Sequence, residues 1–352
     1  MRVLVTGATG FVGQHLVRLL LSRRNSVYGT YLSPPTEWAF GAALFRCDVR
    51  DPDRVRAITR EIRPGQIYHL AAQSSPSRSL EDFRSAFDTN FWGTYNLLEA
   101  ARQVVPRARI LVVGSGQCYG NVGACRLPVT EDQVFAPPNP YALSKAAADM
   151  LAGRYHFRFG LYVVRARPFN HTGPGQQQGF VCSDYARQIA AIELGRGRAF
   201  LPVRDPQVRR DFSDVRDVVR AYELLLEKGK PGEAYNVASG QPISVRQIVL
   251  SLVSLSSRPI QISALRQRLR SADVSTLYGC SRKLRRATGW NLHTICARPW
   301  RTCLIIGRRL SSMKKRCGRP QSPPKLLWHV SYSRKCKVCR GKTPCQSKWA
   351  IL

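Results

Sequence analysis

The feature that most constrains this chain is the run T-G-A-T-G-F-V-G at residues 6–13. An apolar segment precedes it at residues 3–5, and residues 11–21 follow with apolar side chains at helical spacing. Gly7 permits a tight turn, Gly10 removes a side chain from the path of a phosphate, and Gly13 lets helix and strand pack closely. Ordinary turn glycines are the alternative. The order strand, glycine turn, helix favours a dinucleotide-binding turn, with the pyrophosphate at the helix N-terminus.

The charge of the chain is unevenly distributed. The formal net charge is +33 over 352 residues, which by itself would indicate nucleic acid or an anionic surface as a partner. No acidic residue follows Asp273, however, while Lys and Arg continue to the end. The excess charge therefore belongs partly to a tail, and we do not expect the body to bind nucleic acid.

Composition also bears on the compartment. No apolar run is long enough to cross a membrane, and a strand beginning at residue 2 leaves no room for a signal peptide. Four scattered cysteines in the first two hundred residues are typical of small buried side chains in a reducing compartment: Cys47, Cys118, Cys125 and Cys182. We expect a cytoplasmic protein with no membrane partner and no metal site.

Strands and helices alternate along the first part of the chain. Strands are predicted at 27–31, 45–49, 66–72 and 110–113, and helices at 51–62, 91–104 and 141–157. This alternation predicts an α/β fold, a doubly wound parallel sheet of the Rossmann type. Asp48 has two interpretations that the sequence leaves equal: an acceptor for an adenine amino group, or a cap for the helix at 51–62.

The end of the second strand bears on the choice of cofactor. NAD-selective proteins often place Asp or Glu there to hold the ribose 2′-hydroxyl. Here the strand ends in Thr30 and Tyr31, with no carboxylate and no arginine directly after it. The sequence therefore favours NADP(H) mildly and leaves NAD(H) as the alternative.

A candidate catalytic group lies at Ser115, Tyr141 and Lys145. Tyr141 and Lys145 are four residues apart, so they share one face of a helix, and Ser115 follows the strand at 110–113. A free tyrosine titrates near pH 10. A nearby ammonium would lower the pKa of Tyr141 toward the range of a useful acid or base. The alternative is a helix-start tyrosine with a solvated lysine.

Further motifs carry a family resemblance that covers residues 1 to about 290. They are H-L-A-A-Q at 69–73, N-F-W-G-T-Y-N-L-L-E-A at 90–100, Y-A-L-S-K at 141–145, R-A-R-P-F-N-H-T-G-P-G-Q at 165–176, R-R-D-F-S-D-V-R-D at 209–217, Y-N-V-A-S-G at 235–240 and R-S-A-D-V at 270–274. With the glycine turn and Ser115, they resemble the extended short-chain dehydrogenases/reductases that act on nucleotide sugars. The runs at 171–176 and 209–217 are most similar to the branch of GDP-4-keto-6-deoxy-mannose reductases and GDP-mannose 4,6-dehydratases.

The resemblance implies roles for individual residues. The residues expected to bind the cofactor are Gly7, Thr9, Gly10, Phe11, Val12, Gly13, Asp48, Val49, Leu70, Ala71, Ala72, Tyr141, Lys145 and Pro168. The residues expected to bind a GDP-sugar are Gln73, Gln117, Asn170, Arg187, Arg210, Arg270 and Asp273. For each arginine, a surface salt bridge is the alternative. The resemblance also implies a homodimer.

One departure from the resemblance bears on the reaction. The dehydratases carry a glutamate two residues after an active-site threonine, whereas this chain has Ser115 and Gln117 at those places. A glutamine cannot transfer a proton. The resemblance therefore implies reduction of the C4 ketone of GDP-4-keto-6-deoxy-D-mannose to GDP-D-rhamnose. The alternatives are a dehydratase or epimerase that retains its NAD(P), and a nucleotide- or RNA-binding protein with a basic arm.

The domain organisation follows from the same patterns. We predict a dinucleotide-binding domain at 1–168 with a return segment near 211–237, and a smaller C-terminal α/β substrate-binding domain mainly at 169–290. From residue 291 the family pattern stops and acids are absent. We interpret 291–352 as a basic, cysteine-containing tail that is disordered or frame-shifted. A zinc site at Cys336 and Cys339 is a weaker alternative, because no second pair follows at finger spacing.

Overall fold

A seven-stranded parallel sheet lies at the centre of the computed structural model, which describes residues 1–34, 41–265 and 275–293. Elements are numbered in chain order. The strands of this sheet are β1 (Arg2–Thr6), β2 (Ser26–Tyr31), β3 (Ala43–Arg46), β4 (Gln66–His69), β5 (Arg109–Val113), β6 (Tyr162–Pro168) and β10 (Ala234–Val237). They lie side by side in the order β10-β6-β5-β4-β1-β2-β3. The order reverses at β1, so the carboxyl ends of β1 and β4 border a crevice of the kind that binds ligands in such sheets.

Helices cover both faces of this sheet, which confirms the predicted doubly wound α/β fold. On one face are α1 (Phe11–Ser22), α8 (Val215–Lys228) and α10 (Arg282–Thr288), whose apolar side chains pack with Val3 and Val5. On the other face are α2 (Pro52–Ile62), α5 (Gly93–Val104) and α6 (Pro140–Phe159), packed with Leu4 and Ile67. Alternate residues of β1 thus serve two separate cores.

The remaining strands form smaller sheets. They are β7 (Asn170–Thr172), β8 (Phe200–Arg204), β9 (Arg209–Asp214), β11 (Pro242–Ser244), β12 (Gln261–Leu265) and β13 (Thr276–Leu277), with helices α7 (Val181–Glu193) and α9 (Val245–Val253). A third core joins α7, α9 and β8 around Ile189, Leu201 and Ile248. After β9 the chain returns to the large sheet through α8 and β10.

Several short helices lie between α2 and α6 in the chain, besides α5 and two strands of the large sheet. They are α3 (Pro76–Glu81), α4 (Phe83–Phe87), a π-helical turn (Asp88–Trp92) and two 3-10 helices (Gly116–Tyr119 and Ala124–Arg126). The helix predicted at 91–104 is α5, which begins at Gly93 and directly follows α4 and the π-helical turn. The Thr94 hydroxyl donates to the Asn90 carbonyl oxygen at 2.6 Å, which accommodates the wide turn.

Two strands end earlier than predicted, for identifiable reasons. The strand predicted at 45–49 is β3, ending at Arg46, because the Asp48 carboxylate accepts the Arg50 N–H at 3.0 Å and turns the chain. The strand predicted at 66–72 ends at His69, because the Leu70 and Ala71 N–H groups donate to Thr6 Oγ1 rather than to a neighbouring strand.

The C-terminal end of the described chain packs against the body of the protein. Trp290 is 1% exposed, and its indole N–H donates to the Asp217 carbonyl oxygen at 2.9 Å, so the packed body extends at least to this residue. Residues 291–293 still contact α8. Arg270, Asp273 and residues 294–352 lie outside the described residues.

Three of the four predicted cysteines are buried as expected: Cys47, Cys118 and Cys182. Cys125 is exposed, since it lies in the short 3-10 helix 124–126. None of the helices in the described ranges is long and apolar enough to cross a membrane.

Candidate active site

The glycine turn after β1 is held against the loop that follows β4. Gly7 has φ +67°, and a Cβ atom there would lie 2.9 Å from the Ala71 main chain. At Gly13 a Cβ would lie 2.2 Å from the Gly7 carbonyl oxygen, whereas at exposed Gly10 the nearest atom is 3.2 Å away. The predicted roles of Gly7 and Gly13 thus have a steric basis: neither position has room for a side chain.

The start of α1 offers unpaired main-chain donors. Its first main-chain bond runs from the Gln14 N–H to the Gly10 carbonyl oxygen, at 3.0 Å. The N–H groups of Phe11, Val12 and Gly13 therefore have no partner within the helix. Gly10 caps the helix without a side chain, and the first turn carries no acidic residue. This arrangement suits an anion such as a pyrophosphate.

Asp48 is not a helix cap. The cap of α2 is Asp51, whose side chain accepts the Arg54 N–H at 3.0 Å. Asp48 instead forms a two-pronged ion pair with Arg50, at 2.6–3.0 Å, and the hydrogen bonds from Arg50 lower the pKa of the Asp48 carboxyl. Of the two interpretations from sequence, the capping role is wrong, and the adenine contact stays a prediction.

A buried chain of hydrogen bonds links β1, β4 and α5. Thr6 Oγ1 accepts the Leu70 and Ala71 N–H groups at 3.2 and 3.1 Å, so its own proton goes to His69 Nδ1 at 2.8 Å. Burial, with the Lys145 charge adding to it, lowers the pKa of His69 to about 3, so the ring is neutral. Its Nε2–H then donates to Thr94 Oγ1 at 3.1 Å. Every donor and acceptor in this buried chain is matched.

The chain continues to the helix that carries the catalytic pair. Buried Asn90 donates to Ser144 Oγ at 2.9 Å and to the Gln73 carbonyl oxygen at 3.1 Å, while its own oxygen accepts the Gln73 N–H. Ser144 Oγ donates in turn to the Tyr141 carbonyl oxygen at 2.9 Å. The Gln73 Nε2–H donates to the Ser75 carbonyl oxygen, and Gln73 Oε1 is buried without a partner. Main-chain hydrogen bonds thus hold Gln73 in place, and its Oε1 can still accept a hydrogen bond from a ligand.

Ser115 lies close enough to Tyr141 to influence its phenol, but the electrostatics of Tyr141 and Lys145 differ from the prediction. Burial raises the pKa of Tyr141 to about 12, against the opposing effect of Ser115. The Lys145 ammonium donates to the Val113 carbonyl oxygen, and burial lowers the pKa of Lys145 to about 8. The prediction that Lys145 lowers the pKa of Tyr141 is therefore wrong for this arrangement, because desolvation dominates and the ammonium points to β5.

An ion-pair network anchors α6 to β6 behind this group. Asp149, one turn after Lys145, is 1% exposed and accepts from Arg167 Nε and Nη2 at 3.0 and 2.8 Å. Arg165 Nη1 donates to the same carboxylate at 3.0 Å. Arg167 also donates to Tyr119 Oη at 2.9 Å. Because buried charges are stable only with such partners, the network fixes α6 against the sheet.

Gln117 lies on a 3-10 helix rather than on a strand end. Ser115 is the N-cap of that helix, and its Oγ accepts the Gln117 N–H at 3.1 Å. Ser115 and Gln117 therefore lie together at the start of this 3-10 helix. The Gln117 side chain is half-buried and has no hydrogen-bond partner among the described residues.

The segment 169–176 covers both the glycine turn and Gly116. A Cβ at Gly116 would lie 2.8 Å from the Phe169 ring. The His171 ring stacks on Phe11 at 6.1 Å and 9°, and His15 Nε2–H donates to the Pro174 carbonyl oxygen at 2.8 Å. Asn170 thus lies between the turn that faces the cofactor and the 3-10 helix that carries Gln117.

Two predicted arginines lie on separate elements. Arg187 is half-buried on α7. Arg210 lies on β9 and donates through Nη1 to the Arg209 and Ser275 carbonyl oxygens at 2.8 and 3.3 Å. The contacts of the two arginines among the described residues do not test their predicted role at a GDP group.

Sequence reasoning missed the buried donors behind the site. Thr6, His69 and Thr94 were assigned no role, although a histidine inside an otherwise apolar strand was a visible signal. The network residues Asp149 and Arg167 were missed for another reason: their pairing joins a helix to a strand and no local pattern indicates it.

The residues present fit a dinucleotide. The glycine turn leaves no room for side chains, α1 offers free N–H groups, and the half-buried residues Leu70, Ala71 and Ala72 form the loop that the turn faces. The combination suits the pyrophosphate of a dinucleotide.

Comparison with known proteins adds to this geometry. The protein family described as GDP-mannose 4,6 dehydratase matches residues 4–298. The chain is 36% identical over 289 residues to the GDP-6-deoxy-D-mannose reductase of Pseudomonas aeruginosa, covering 82% of this chain and 91% of that protein. It is 30% identical over 264 residues to the GDP-mannose 4,6-dehydratase of Yersinia enterocolitica, covering 70% of each.

Solved structures of related proteins have the same fold as this chain. RMD from Pseudomonas aeruginosa complexed with NADPH superposes with a TM-score of 0.78 at 34% identity, covering 88% of this chain and 99% of that one. The UDP-glucose 4-epimerase of Thermus thermophilus complexed with NAD gives 0.77 at 29% identity, with coverage of 88% and 99%.

The glycine turn yields a test with a matched control. Gly7 and Gly160 have φ of +67° and +68°, but a Cβ at Gly160 meets no atom within 4 Å. The positive φ alone should lower the free energy of unfolding by about 1 kcal/mol in each of Gly7→Ala and Gly160→Ala, and Gly7→Ala should lose more because its Cβ meets the Ala71 main chain. Only Gly7→Ala should also displace the Ala71 loop. For this variant we expect calorimetry to give a dissociation constant for NADPH at least about tenfold higher than that of the natural protein. Equal NADPH affinity in the two variants would contradict the assignment of this turn.

Proposed function

The chain belongs to the GDP-mannose 4,6-dehydratase family, and from this premise we propose that it reduces the C4 ketone of GDP-4-keto-6-deoxy-D-mannose to GDP-D-rhamnose. When bound, NADPH, or NADH as the alternative, supplies the hydride. The observation that carries the proposal is the composition of the site. Ser115, Tyr141 and Lys145 can handle a ketone, while Gln117 occupies the place where elimination of water needs a group that titrates.

Tyr141 is the proton donor of the proposed reaction. With a pKa of about 12 it is a neutral phenol at pH 7, which is the form that can protonate an alkoxide developing at C4. Ser115, whose side chain influences the Tyr141 phenol, would hydrogen-bond the same oxygen. The raised pKa therefore suits reduction, where the tyrosine begins protonated.

Lys145 would hold the ribose of the nicotinamide half. Its ammonium is fixed on the Val113 carbonyl oxygen, at the carboxyl end of β5. Because the pKa of Lys145 is lowered to about 8 by burial, this charge is the one in the group that changes closest to neutral pH. A ribose hydroxyl beside it would find both a cation and the Tyr141 face of α6.

The sugar and the nucleotide would be held by groups that have bonding capacity left. Gln73 Oε1 is buried without a partner, and Gln117 and Asn170 carry half-buried amides with no partner among the described residues. Such groups suit sugar hydroxyls. Arg187 and Arg210 are proposed for the GDP phosphates, since a guanidinium matches phosphate oxygens. Asp48 and Val49 are proposed at the adenine of the cofactor, with Pro168 beside the nicotinamide.

The first test removes the proton donor. Tyr141→Phe keeps the ring but lacks the hydroxyl, so ketone reduction should fall at least about a hundredfold with NADPH affinity little changed. Tyr162→Phe is the control, because it deletes a hydroxyl that donates to the Gly229 carbonyl oxygen at 2.7 Å, away from the site. Near-normal turnover of the 4-keto sugar by Tyr141→Phe would refute the mechanism.

A 4,6-dehydratase is the second candidate, since the family takes its description from that activity and a dehydratase is among the relatives. Both reactions need a sugar over the nicotinamide with Ser115 and Tyr141 at C4. Dehydration needs a further proton-transfer group near C5 and C6, and Gln117 has no titrating proton.

Gln117→Glu separates the two reactions. We expect the natural protein to reduce the 4-keto sugar and to leave GDP-mannose unconverted. Gln117→Glu should keep reduction within about tenfold, because the residue supplies no proton in that reaction. The measurement is product analysis after incubation with each sugar and NADP(H). Conversion of GDP-mannose to the 4-keto sugar by the natural protein would favour the dehydratase.

The homodimer belongs to the same proposal and has a structural basis on α6. Leu143, Met150 and Phe157 recur every seven residues along α6 and are 42%, 62% and 78% exposed. On neighbouring helices Trp92 and Tyr95 are 49% and 37% exposed. Contiguous exposed apolar side chains mark interaction surfaces, and the seven-residue spacing suits a facing helix from a second copy. We place the enzyme in the cytoplasm, where its described thiols would stay reduced.

Sedimentation tests the dimer. The natural protein should sediment at twice the 39.5 kDa chain mass at micromolar concentration, and Met150→Glu should sediment as a monomer because it places a charge in the apolar row. Val134→Glu is the control, because Val134 is 76% exposed but lies outside the helices. A monomeric natural protein, or a dimeric Met150→Glu, would contradict this interface.

A further inference from the structure

Arg46 lies beside the end of β2, although it belongs to the neighbouring strand. β2 and β3 are parallel, and Tyr31 is the register partner of Arg46. Tyr31 occupies the strand end where a carboxylate would hold a ribose 2′-hydroxyl in an NAD-selective protein. The sequence has no arginine directly after β2, yet the sheet register supplies one from β3.

Both side chains belong to the face of the sheet that α1 covers. Tyr28 on β2 and Phe45 on β3 lie on the opposite face of the sheet and pack with α2 and α5 in the other core. Val27 and Leu44 pack with α1, and a Cβ at Gly29 would meet the Ala8 side chain at 2.6 Å. By strand alternation, Tyr31 and Arg46 follow Gly29 and Leu44 on the α1 face, at the carboxyl edge beyond the glycine turn.

The other cations at this edge are engaged. Arg50 is paired with Asp48, and Arg54 Nε donates to the Arg46 carbonyl oxygen at 3.0 Å. Arg46 itself is exposed, and its side chain has no hydrogen-bond or ion-pair partner among the described residues. A guanidinium that is free, exposed and beside a ribose site suits a phosphate monoester, which it can bind through two parallel hydrogen bonds.

We propose that Arg46 binds the 2′-phosphate on the adenine ribose of the cofactor and is the residue that makes the site select NADP(H) over NAD(H). The inference rests on the proposed function only in taking the bound group to be a nicotinamide dinucleotide. Two observations support it: the register of β2 with β3, which sets Arg46 beside Tyr31, and the Arg46 guanidinium, which has no partner among the described residues.

Two nucleotides that differ only in the 2′-phosphate test this directly. Calorimetry with 2′,5′-ADP and with 5′-AMP on the full chain should show the natural protein preferring 2′,5′-ADP at least about tenfold, the scale of a charge-assisted contact. Arg46→Ala should reduce that ratio to near one by weakening 2′,5′-ADP binding alone. Arg46→Lys keeps the charge without the planar fork and should give an intermediate ratio. Arg60→Ala, an exposed arginine on α2, is the matched control and should keep the full ratio.

The outcomes separate this inference from the proposed function. A ratio that stays high in Arg46→Ala, or that is near one in the natural protein, overturns the role of Arg46, whether or not the ketone is reduced. Loss of the ratio in Arg46→Ala but not in Arg60→Ala supports it, even if the 4-keto sugar is not the substrate. In turnover, Arg46→Ala should lose NADPH-dependent kcat/KM about tenfold or more while the NADH-dependent value stays within about twofold.

Discussion

The interaction on which the site depends most is the buried hydrogen-bond chain that begins at Thr6. One hydroxyl at the end of β1 accepts two main-chain N–H groups of the loop after β4 and donates to His69. That contact ends β4, sets the loop against the glycine turn and continues through Asn90 to the helix of Tyr141. The loop that faces the glycine turn and the start of α6, which carries Tyr141, are therefore parts of one hydrogen-bonded unit, and a buried network of this kind holds its members in a single arrangement.

The polar side chains around this unit are of two kinds: some have all their hydrogen-bond partners within the protein, and others have a polar atom without a partner among the described residues. Asp149 and Arg167 are paired with each other and fix α6, the helix that carries Tyr141 and Lys145. Gln73 Oε1 and the amide of Gln117 retain bonding capacity at the crevice. Residues proposed to act on the ketone, together with polar groups that have no partner among the described residues, form the arrangement expected where placement and electrostatics do most of the catalysis.

The order of elements and the glycine turn were predictable because they rest on local patterns: periodicity, turn glycines and the four-residue spacing of Tyr141 and Lys145. The errors arose where non-local contacts decide. β4 stops at His69 because Thr6 captures the next N–H groups, and Tyr141 has a raised pKa because desolvation outweighs a lysine that turns to Val113. Arg46 was missed for the same reason, since its neighbour Tyr31 is set by strand register and not by sequence distance. Roles at Arg270 and Asp273 lie outside the described residues.

The hydrogen-bond chain through His69 also has a direction. Thr6 must donate to Nδ1, so Nε2 carries the hydrogen that goes to Thr94, and Thr94 donates to the Asn90 carbonyl oxygen. Because the Thr6 oxygen already accepts two amides, the order cannot be reversed without breaking several bonds at once, and with a pKa of about 3 the ring stays neutral throughout the physiological range. The chain therefore fixes the positions of its members and does not relay protons, so in the proposed reaction the proton that Tyr141 donates would be replaced from outside this network.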